Sequence, residues 1–265
     1  MPEYLMEDPT EAERLELKTK RDVVLKELAF LPLEPGLRVL EVGCGTGAVT
    51  RILAEKVFPG LVVGLDFSRE RLCAGRGIAS VEGARNVEFV CGDLFSCGLK
   101  EGCFDLVFSR CLFQYFAGER GKEALRRMKS LARPGGRVAV ADVDGMCLYR
   151  FPEDEAREKA LQALLSALEP LGFDAFVGRK LYQMFRQAGL KEIQVDLIPH
   201  HLITGKTDPL TRRAWQMKLA ILEEHFQKAF GSREEALGWR ERFLQDLSDE
   251  DVLLYNLMFI VQGTA

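Results

Sequence analysis

The sequence predicts an α/β fold with a mostly parallel β-sheet, and three observations support this class. Short apolar runs that suit buried strands alternate with stretches of helical periodicity, as in βαβ units. The first run, within VLEVGCGTGAV at 39–49, leads into a glycine-rich turn. Acidic residues end the next two strands, at Asp66 and in FVCGDLF at Asp93. Together these features predict a nucleotide-binding crevice at the carboxyl ends of the strands.

The predicted elements of the sheet follow one another at regular intervals. One or two amphipathic helices are expected within residues 10–30, and a Pro-Gly turn then precedes the first strand. A helix is predicted from Thr46 to Val57. Further strands are expected at LVVGLD, NVEFVCGD, FDLVFSRC and RVAVADVD. Helices are expected over SRERLCAGRGIASV, with Ser68 as N-cap, and over GKEALRRMKSLARPGG.

The alternation of strands and helices ends after Asp144. Helices are predicted at 153–171 and in GRKLYQMFRQAGL, and two or three more at 208–247. Strands are predicted at KEIQVDLI and in DVLLYNLMFIVQGTA. Two late strands separated by helices indicate a sheet edge with an inserted cap. We therefore expect an N-terminal helical lid at 1–31, a nucleotide-binding core at 32–145, and a helical cap with the last two strands at 146–265.

Composition narrows the class of protein. The 265 residues are 47% hydrophobic and 29% charged, which is typical of a soluble globular chain. The net charge of −4 argues against a general nucleic-acid binder. No apolar run is long enough to span a membrane, and the acidic start differs from a secretory signal, so we expect a cytoplasmic protein. The seven cysteines contain no C-x-x-C pair and are expected to be reduced, and no metal site is expected.

The glycine-rich turn fits two nucleotide-binding patterns. Gly43, Gly45 and Ala48 fit the dinucleotide pattern G-x-G-x-x-G/A. Glu41 together with Gly43, Gly45 and Gly47 fits E/D-x-G-x-G-x-G, the pattern used for S-adenosylmethionine (SAM). A carboxylate at Glu41 would repel a pyrophosphate but suits a cationic methionine group.

The acidic strand ends bear on the same choice of nucleotide. Asp66 can accept hydrogen bonds from the ribose hydroxyls of either nucleotide, or can simply cap the helix that follows. Asp93 can accept the adenine amino hydrogens, while Phe67 and Leu94 lie on either side of the ring. Glu41 and Asp93 therefore favour SAM over a dinucleotide.

Five segments resemble the successive motifs of class I SAM-dependent methyltransferases, in the same order and spacing. They are VLEVGCGTG, VVGLDFS, FVCGDLF, FDLVFSRCLFQY and LARPGGRVAVAD, within residues 36–144. The sequence is most similar to the ubiquinone/menaquinone-biosynthesis type of small-molecule methyltransferase. The resemblance implies a Rossmann-like, seven-stranded sheet in the order 3-2-1-4-5-7-6, with the last strand antiparallel and a helical cap.

The resemblance also implies SAM as the cofactor and a set of residues that hold it. In the family, residues that open the loop after the fourth strand contact the methionine end of SAM. Tyr4 is included because an aromatic ring with a hydroxyl can both pack on the donor and bond it. The expected cofactor-binding residues are Tyr4, Glu41, Gly43, Cys44, Gly45, Gly47, Asp66, Phe67, Gly92, Asp93, Leu94, Ser109, Arg110 and Gln114.

The catalytic residues are less well defined, because the sulfonium is already activated and positioning in a dry pocket can suffice. Candidates for a general base are Tyr115 and the His200-His201 pair, expected just beyond the sixth strand; ordinary packing histidines are the alternative. Asp142 and Asp144 are expected either to form a polar rim of the pocket or to be solvated strand ends.

The expected methyl acceptor is a small hydrophobic or aromatic molecule, enclosed by aromatic and apolar side chains of the cap; O-, N- and C-acceptors all remain open, as does the oligomeric state. Alternatives are a protein acceptor, a non-catalytic SAM sensor and, less favoured, arsenite methylation by three thiolates, since no cysteine follows Cys147. Nucleic-acid methylation is disfavoured because FSRCLFQY lacks the tetrapeptide that holds a flipped base. The candidate cap residues are Phe151, Phe173, Phe176, Tyr182, Phe185, Trp215, Met217, Phe226 and Trp239.

Overall fold

The computed structural model describes residues 4–265, apart from the side chains of residues 146–148. Its centre is a seven-stranded sheet in the order β3-β2-β1-β4-β5-β7-β6, with β7 antiparallel to both of its neighbours. The predicted order 3-2-1-4-5-7-6 is therefore confirmed. The strands are β1 (Arg38–Val42), β2 (Leu61–Asp66), β3 (Val87–Cys91), β4 (Phe104–Arg110), β5 (Ala132–Phe151), β6 (Lys191–Thr204) and β7 (Leu253–Thr264).

The predicted helices are present, and the region 208–247 contains three. Ser68 is the N-cap of the helix after β2, since its hydroxyl accepts the Arg71 N–H at 3.3 Å. No helix in the described part of the chain is long and apolar enough to cross a membrane. The helices are α1 (Glu11–Lys18), α2 (Arg21–Leu28), α3 (Ala48–Val57), α4 (Arg69–Glu82), α5 (Glu119–Leu131), α6 (Glu155–Leu168), α7 (Leu181–Gln187), α8 (Pro209–Ile221), α9 (Glu223–Phe230) and α10 (Arg233–Asp246).

Two strands are longer than the sequence patterns predict. β5 continues beyond Asp144 and pairs with β7 as far as the Phe151–Leu253 register. β6 continues to Thr204, also along β7. The apolar patterns marked only part of each strand, whereas pairing with the long β7 extends both. The His200-His201 pair therefore lies within β6, and its predicted position beyond the strand is wrong.

Three clusters of buried hydrophobic side chains hold the structure together, one on each face of the sheet and one in the cap. Helices α5 and α7 cover one face of the sheet, and α2 and α3 cover the other. The third cluster belongs to the cap, where α6, α8, α9 and α10 pack on one another and on Met6. Its aromatic rings contact each other, as in Phe226 with Trp239 at 5.1 Å and Trp239 with Phe243 at 5.4 Å between centroids. Much of the aromatic content of the cap thus forms its own core.

The glycine-rich turn after β1 depends on backbone conformations that favour glycine. Gly43, Gly45 and Gly47 have φ values of +73°, +56° and +75°. Helix α4 approaches this turn closely at Gly75, where a Cβ atom would lie 2.3 Å from the carbonyl oxygen of Thr46. The absence of a side chain at Gly75 therefore allows α4 to support the turn from outside.

We predict that Gly75→Ala and Gly77→Ala have opposite effects on stability. At Gly75 the added methyl overlaps backbone, so the free energy of unfolding should fall by about 1–3 kcal/mol. Gly77 is exposed on the same helix with open space around it, so alanine there should raise this free energy by about 0.5–1 kcal/mol. Urea denaturation of both variants measures the difference. Equal shifts would show that the close approach of α4 is unimportant.

Candidate active site

Two adjoining cavities open at the carboxyl ends of the central strands. The glycine-turn cavity, about 380 Å³, is lined by the turn after β1, the ends of β2 to β4 and the N-terminal segment. The second cavity, about 580 Å³, lies between α1, α2, α8 and the strands β4, β5, β6 and β7. The residues that line both are Lys18, Arg110, Cys111 and Tyr115, which we call the junction.

The sequence-predicted residues divide between the two cavities. Gly47 and Ser109 line neither: Gly47 is the N-cap of α3, and Ser109 is fully buried in β4. Gln114 lines the second cavity, where its Nε2 donates to the Cys111 carbonyl at 3.0 Å. His200 and His201 also line the second cavity. The remaining predicted residues line the glycine-turn cavity: Tyr4, Glu41, Gly43, Cys44, Gly45, Asp66, Phe67, Gly92, Asp93, Leu94, Arg110 and Tyr115.

Asp66 fixes the shape of the glycine-turn cavity. One carboxylate oxygen accepts the Gly45 N–H at 2.8 Å. The other accepts the Ser68 N–H at 2.9 Å and the Arg71 guanidinium at 3.3 Å. The same side chain therefore holds the turn, caps the start of α4 and lines the cavity.

Glu41 is the second carboxylate in this wall. It is buried, and the Thr50 hydroxyl donates to it. Burial raises the pKa of Glu41 to about 7, against the opposing hydrogen bond from Thr50 and the charge of Arg110. Near neutral pH the glycine-turn cavity can therefore gain or lose one negative charge at this position.

An aromatic and cationic cluster lines the glycine-turn cavity beside Asp66; its rings, Tyr4 and Phe67, were predicted from the sequence, whereas its cations were not. The Arg71 guanidinium carbon lies 4.9 Å from the Phe67 ring centroid and 5.0 Å from that of Tyr4. Glu7 accepts a hydrogen bond from Arg71 at 2.9 Å. Arg120, over the Phe95 ring at 4.4 Å, also lines the cavity. Arg71 and Arg120 lie in the first turns of α4 and α5, outside the glycine turn and the strand ends, and no motif in the sequence marks them.

The junction is held by a buried ion pair. Arg110 donates through Nε and Nη2 to both carboxylate oxygens of Glu27, the latter at 2.8 Å. Burial alone would raise the pKa of Glu27, but Arg110 lowers it to about 2. Beside this pair, Cys111 has a φ of +54°, an unfavourable conformation for a residue with a side chain. Helix α2 thus fixes the end of β4 where the two cavities meet.

The prediction for Asp142 and Asp144 is wrong. Neither residue lines a cavity or is solvated, because β5 continues past them and both are buried. Asp142 accepts the backbone N–H groups of Phe113 at 2.7 Å and Gln114 at 3.3 Å, and burial raises its pKa to about 7. Asp144 is paired with Arg179. Both carboxylates hold neighbouring loops in place.

The histidine pair lies at an irregularity of β6 on the wall of the second cavity. His201 has a φ of +46°, and its ring lies 4.3 Å from that of His200 and 5.2 Å from that of Trp215. Burial lowers the pKa of both rings, so both are neutral at pH 7. Burial also raises the pKa of Tyr115, which keeps its hydroxyl protonated. Of these candidates, only the histidines are suited to accept a proton at neutral pH.

The second cavity is basic. Seven cationic side chains line it against two carboxylates, although the chain as a whole carries a net charge of −4. Some of these cations are paired, as Lys20 is with Asp208 at 2.6 Å. The cations are Arg14, Lys18, Lys20, Lys26, Arg110, Lys206 and Lys218, and the carboxylates are Asp22 and Asp208.

The cysteines are dispersed. The six whose side chains are described are free thiols, and of these only Cys44 and Cys111 line a cavity. The described residues contain no group of three or more His, Cys, Asp or Glu side chains arranged to hold a metal. The side chain of Cys147 lies outside the described residues.

Comparison with known proteins gives a consistent family. A family described as "Methyltransferase domain" matches residues 33–189. A demethylmenaquinone methyltransferase of Anoxybacillus flavithermus is 30% identical over 62% of this chain and 73% of its own length. An arsenite methyltransferase of Halobacterium salinarum is 32% identical over 48% of this chain. The chain spans only 32% of the length of the arsenite relative.

The solved structures agree on the fold. Phosphoethanolamine N-methyltransferase 2 of Haemonchus contortus, in complex with phosphomonomethylethanolamine and S-adenosylhomocysteine, superposes with a TM-score of 0.58 at 16% identity. The superposition covers 96% of this chain and 56% of that chain. At this identity the likeness concerns the architecture of the chain.

We predict that SAM binds more tightly as the pH rises through 7. A cationic ligand favours ionised Glu41, and one linked proton allows a gain in affinity of about tenfold between pH 6 and pH 8. Isothermal titration calorimetry in buffers of different ionisation enthalpy measures the affinity and the released proton.

Two variants isolate the group responsible. Glu41→Gln should remove the pH dependence, whereas Asp142→Asn should keep it because Asp142 lies outside the cavity. A flat profile in the unmodified protein would show that Glu41 does not face the charged part of the ligand.

Proposed function

Because the chain belongs to the family of methyltransferase domains, we propose that it transfers a methyl group from SAM, held in the glycine-turn cavity, to a small molecule in the second cavity. Membership of this family supports the predicted class, a SAM-dependent methyltransferase with SAM as its cofactor. The acceptor, the reacting atom and the residues that bind each substrate belong to the proposal.

The junction is the observation that carries this proposal. Methyl transfer needs the donor carbon and the acceptor atom in line and in contact, with water excluded. Lys18, Cys111 and Tyr115 line both cavities, so molecules held in the two cavities meet at these side chains. In the transfer the acceptor's lone pair forms the new bond to carbon as the carbon–sulfur bond breaks, and the neutral thioether S-adenosylhomocysteine leaves.

The proposed position of SAM follows the acidic side chains of the glycine-turn cavity. Glu41 faces the methionine end, Asp66 the ribose, and Asp93 the adenine amino group. One oxygen of Asp93 accepts the Phe95 N–H at 3.0 Å, which fixes its carboxylate. Phe67 and Leu94 line the cavity on either side of these groups and suit the faces of a flat base.

We assign no obligatory base to the reaction. If the acceptor must lose a proton, His201 is the better candidate of the two histidines, because Glu27 and Arg110 surround His200. Tyr115 at the junction can donate a hydrogen bond through its protonated hydroxyl. An acceptor with an apolar or aromatic part suits Trp215 and Ile203 in the second cavity.

Other acceptor classes are less well supported. A protein acceptor requires an open approach to the methyl group, whereas the second cavity is bounded by three helices and four strands. A SAM sensor would need no second cavity joined to the first. Arsenite methylation would need three thiolates near the junction, where Cys111 is the one described cysteine; Cys44 lines the glycine-turn cavity alone. We propose a small-molecule acceptor and a cytoplasmic protein.

The N-terminal segment and the cap are proposed to form a lid. Tyr4, Leu5 and Leu15 cover the glycine-turn cavity, and Phe173 reaches it from the cap. The segment is joined to the cap by the Arg213–Glu13 and Lys20–Asp208 ion pairs, each at 2.6 Å. Residues 1–3 of the expected 1–31 lid lie outside the described residues.

We predict that Asp66→Ala and Asp93→Ala each weaken SAM binding by about 1–3 kcal/mol, since each removes a carboxylate that can bond the ligand. Calorimetry with SAM and NAD measures both the loss and the preference. Asp251→Ala, at an exposed site outside both cavities, should leave the affinity unchanged. Because Asp66 also holds the turn, circular dichroism of each variant is needed. Tight NAD binding without SAM binding would contradict the proposed cofactor.

We also predict that SAM slows amide hydrogen exchange within residues 4–31 and in the cap near Phe173. Ligand contact with both parts of the lid would stabilise their backbone hydrogen bonds against local opening. Exchange measured by mass spectrometry with and without S-adenosylhomocysteine tests this. Protection confined to the glycine turn and the acidic strand ends would exclude a lid and favour an open site for a large acceptor.

A further inference from the structure

The described side chains that line the second cavity include more cations than carboxylates. Besides its two lining carboxylates, Glu11 pairs with Arg14 and Glu27 pairs with Arg110. The described groups at this cavity thus comprise seven cations and four carboxylates. Lys20, Lys26 and Lys206 are exposed and solvated, so an anion in the cavity would gain most from the less exposed cations.

The central cation of this surplus is Lys18, at the junction. It lies at the last turn of α1, and no carboxylate in the described part of the chain lies within ion-pair distance of its ammonium. Burial lowers the pKa of Lys18; the charges of Arg14 and Arg110 lower it further, while Cys111 and Glu11 act in the opposite direction. An anion at this position would supply the partner that the ammonium lacks.

A second cation completes the wall together with an aromatic ring. The Lys218 ammonium lies 5.0 Å from the Trp215 ring centroid, and His201 packs against the same indole. After burial and His200, the charges of Lys218 and Lys18 are the largest contributions that lower the pKa of His201. Lys18, Lys218 and His201 all line the second cavity, and the left-handed backbone of His201 is the type of strain often found at ligand sites.

We propose that the methyl acceptor is an anion, with a carboxylate or phosphate received between Lys18 and Lys218 and a flat or apolar part against Trp215. This rests on the proposed function in one respect, that the acceptor enters through the second cavity. Several cations around one space favour a charged oxygen group, because hydrogen bonds to charged partners are the strong ones. The acceptor would then be a small acid with an apolar part.

The first test measures binding of matched probes to the protein loaded with S-adenosylhomocysteine. Benzoate and phenyl phosphate are compared with benzamide and benzyl alcohol by calorimetry. We expect at least one anionic probe to bind about tenfold more tightly than both neutral probes. The benzoate and phenyl phosphate arms decide between carboxylate and phosphate. Equal affinities for charged and neutral probes would overturn the proposal.

Charge-removing variants locate the anion. Lys18→Met and Lys218→Met should each weaken the preferred anionic probe about tenfold and leave the neutral probes unchanged. Lys56→Met, at an exposed position outside both cavities, is the matched control. If the control variant weakens the anionic probe equally, the effect is one of general charge and the proposal fails.

The carboxylate of the donor itself is another possible partner for Lys18, because Lys18 also lines the glycine-turn cavity. S-adenosylhomocysteine carries a carboxylate that 5′-methylthioadenosine lacks. The proposal fails if Lys18→Met weakens the binding of S-adenosylhomocysteine but not of 5′-methylthioadenosine, while the variant still prefers anionic probes. Absence of S-adenosylhomocysteine binding in the unmodified protein would instead refute the proposed function, and the probe preference can still be measured without it.

Discussion

The Asp66 carboxylate supports the geometry on which the rest of the site depends. The left-handed turn at Gly43, Gly45 and Gly47 exposes backbone N–H groups that need partners, and Asp66 provides one for Gly45. Its second oxygen binds the start of α4, the helix that supports the turn at Gly75. Strand β2, the turn and the start of α4 are therefore joined by one side chain.

The buried carboxylates respond to pH in opposite directions. Arg110 lowers the pKa of Glu27 to about 2, so the stability contributed by this pair is present above the ordinary pKa of a glutamate and is lost as the pH falls through 2. Burial raises the pKa values of Glu41 and Asp142 to about 7. Their contribution is present in acid and is lost as the pH rises towards 7. A cationic ligand bound beside Glu41 would favour the ionised carboxylate and so lower this raised pKa.

The sequence predicted the parts of the fold and site that repeat a local pattern. Alternating strands and helices indicated the sheet, and the turn at Gly43–Gly47 and the strand-end aspartates indicated the first cavity. The second cavity was recognised only in part. The His200-His201 pair was a sequence candidate, but Lys18 and Lys218 come from α1 and α8, share no motif with it, and are ordinary polar residues until the fold brings them together. Asp142 and Asp144 were misjudged for a related reason: only the pairing of β5 with β7 buries them.

The proposed donor and acceptor carry opposite charges, and each cavity has side chains suited to one of them. Glu41, Asp66 and Asp93 face the proposed cationic donor, although four cations also line the first cavity, whereas the second cavity, with seven cations against two carboxylates, is proposed to receive an anion. Electrostatic attraction is stronger in a space that excludes water, so the opposite charges would draw the two molecules towards the junction. If the attacking atom itself carries the negative charge, transfer removes both charges together, which is favourable in such a space. The products are then less strongly held than the substrates, and the same charges that bring the reactants together also favour product release.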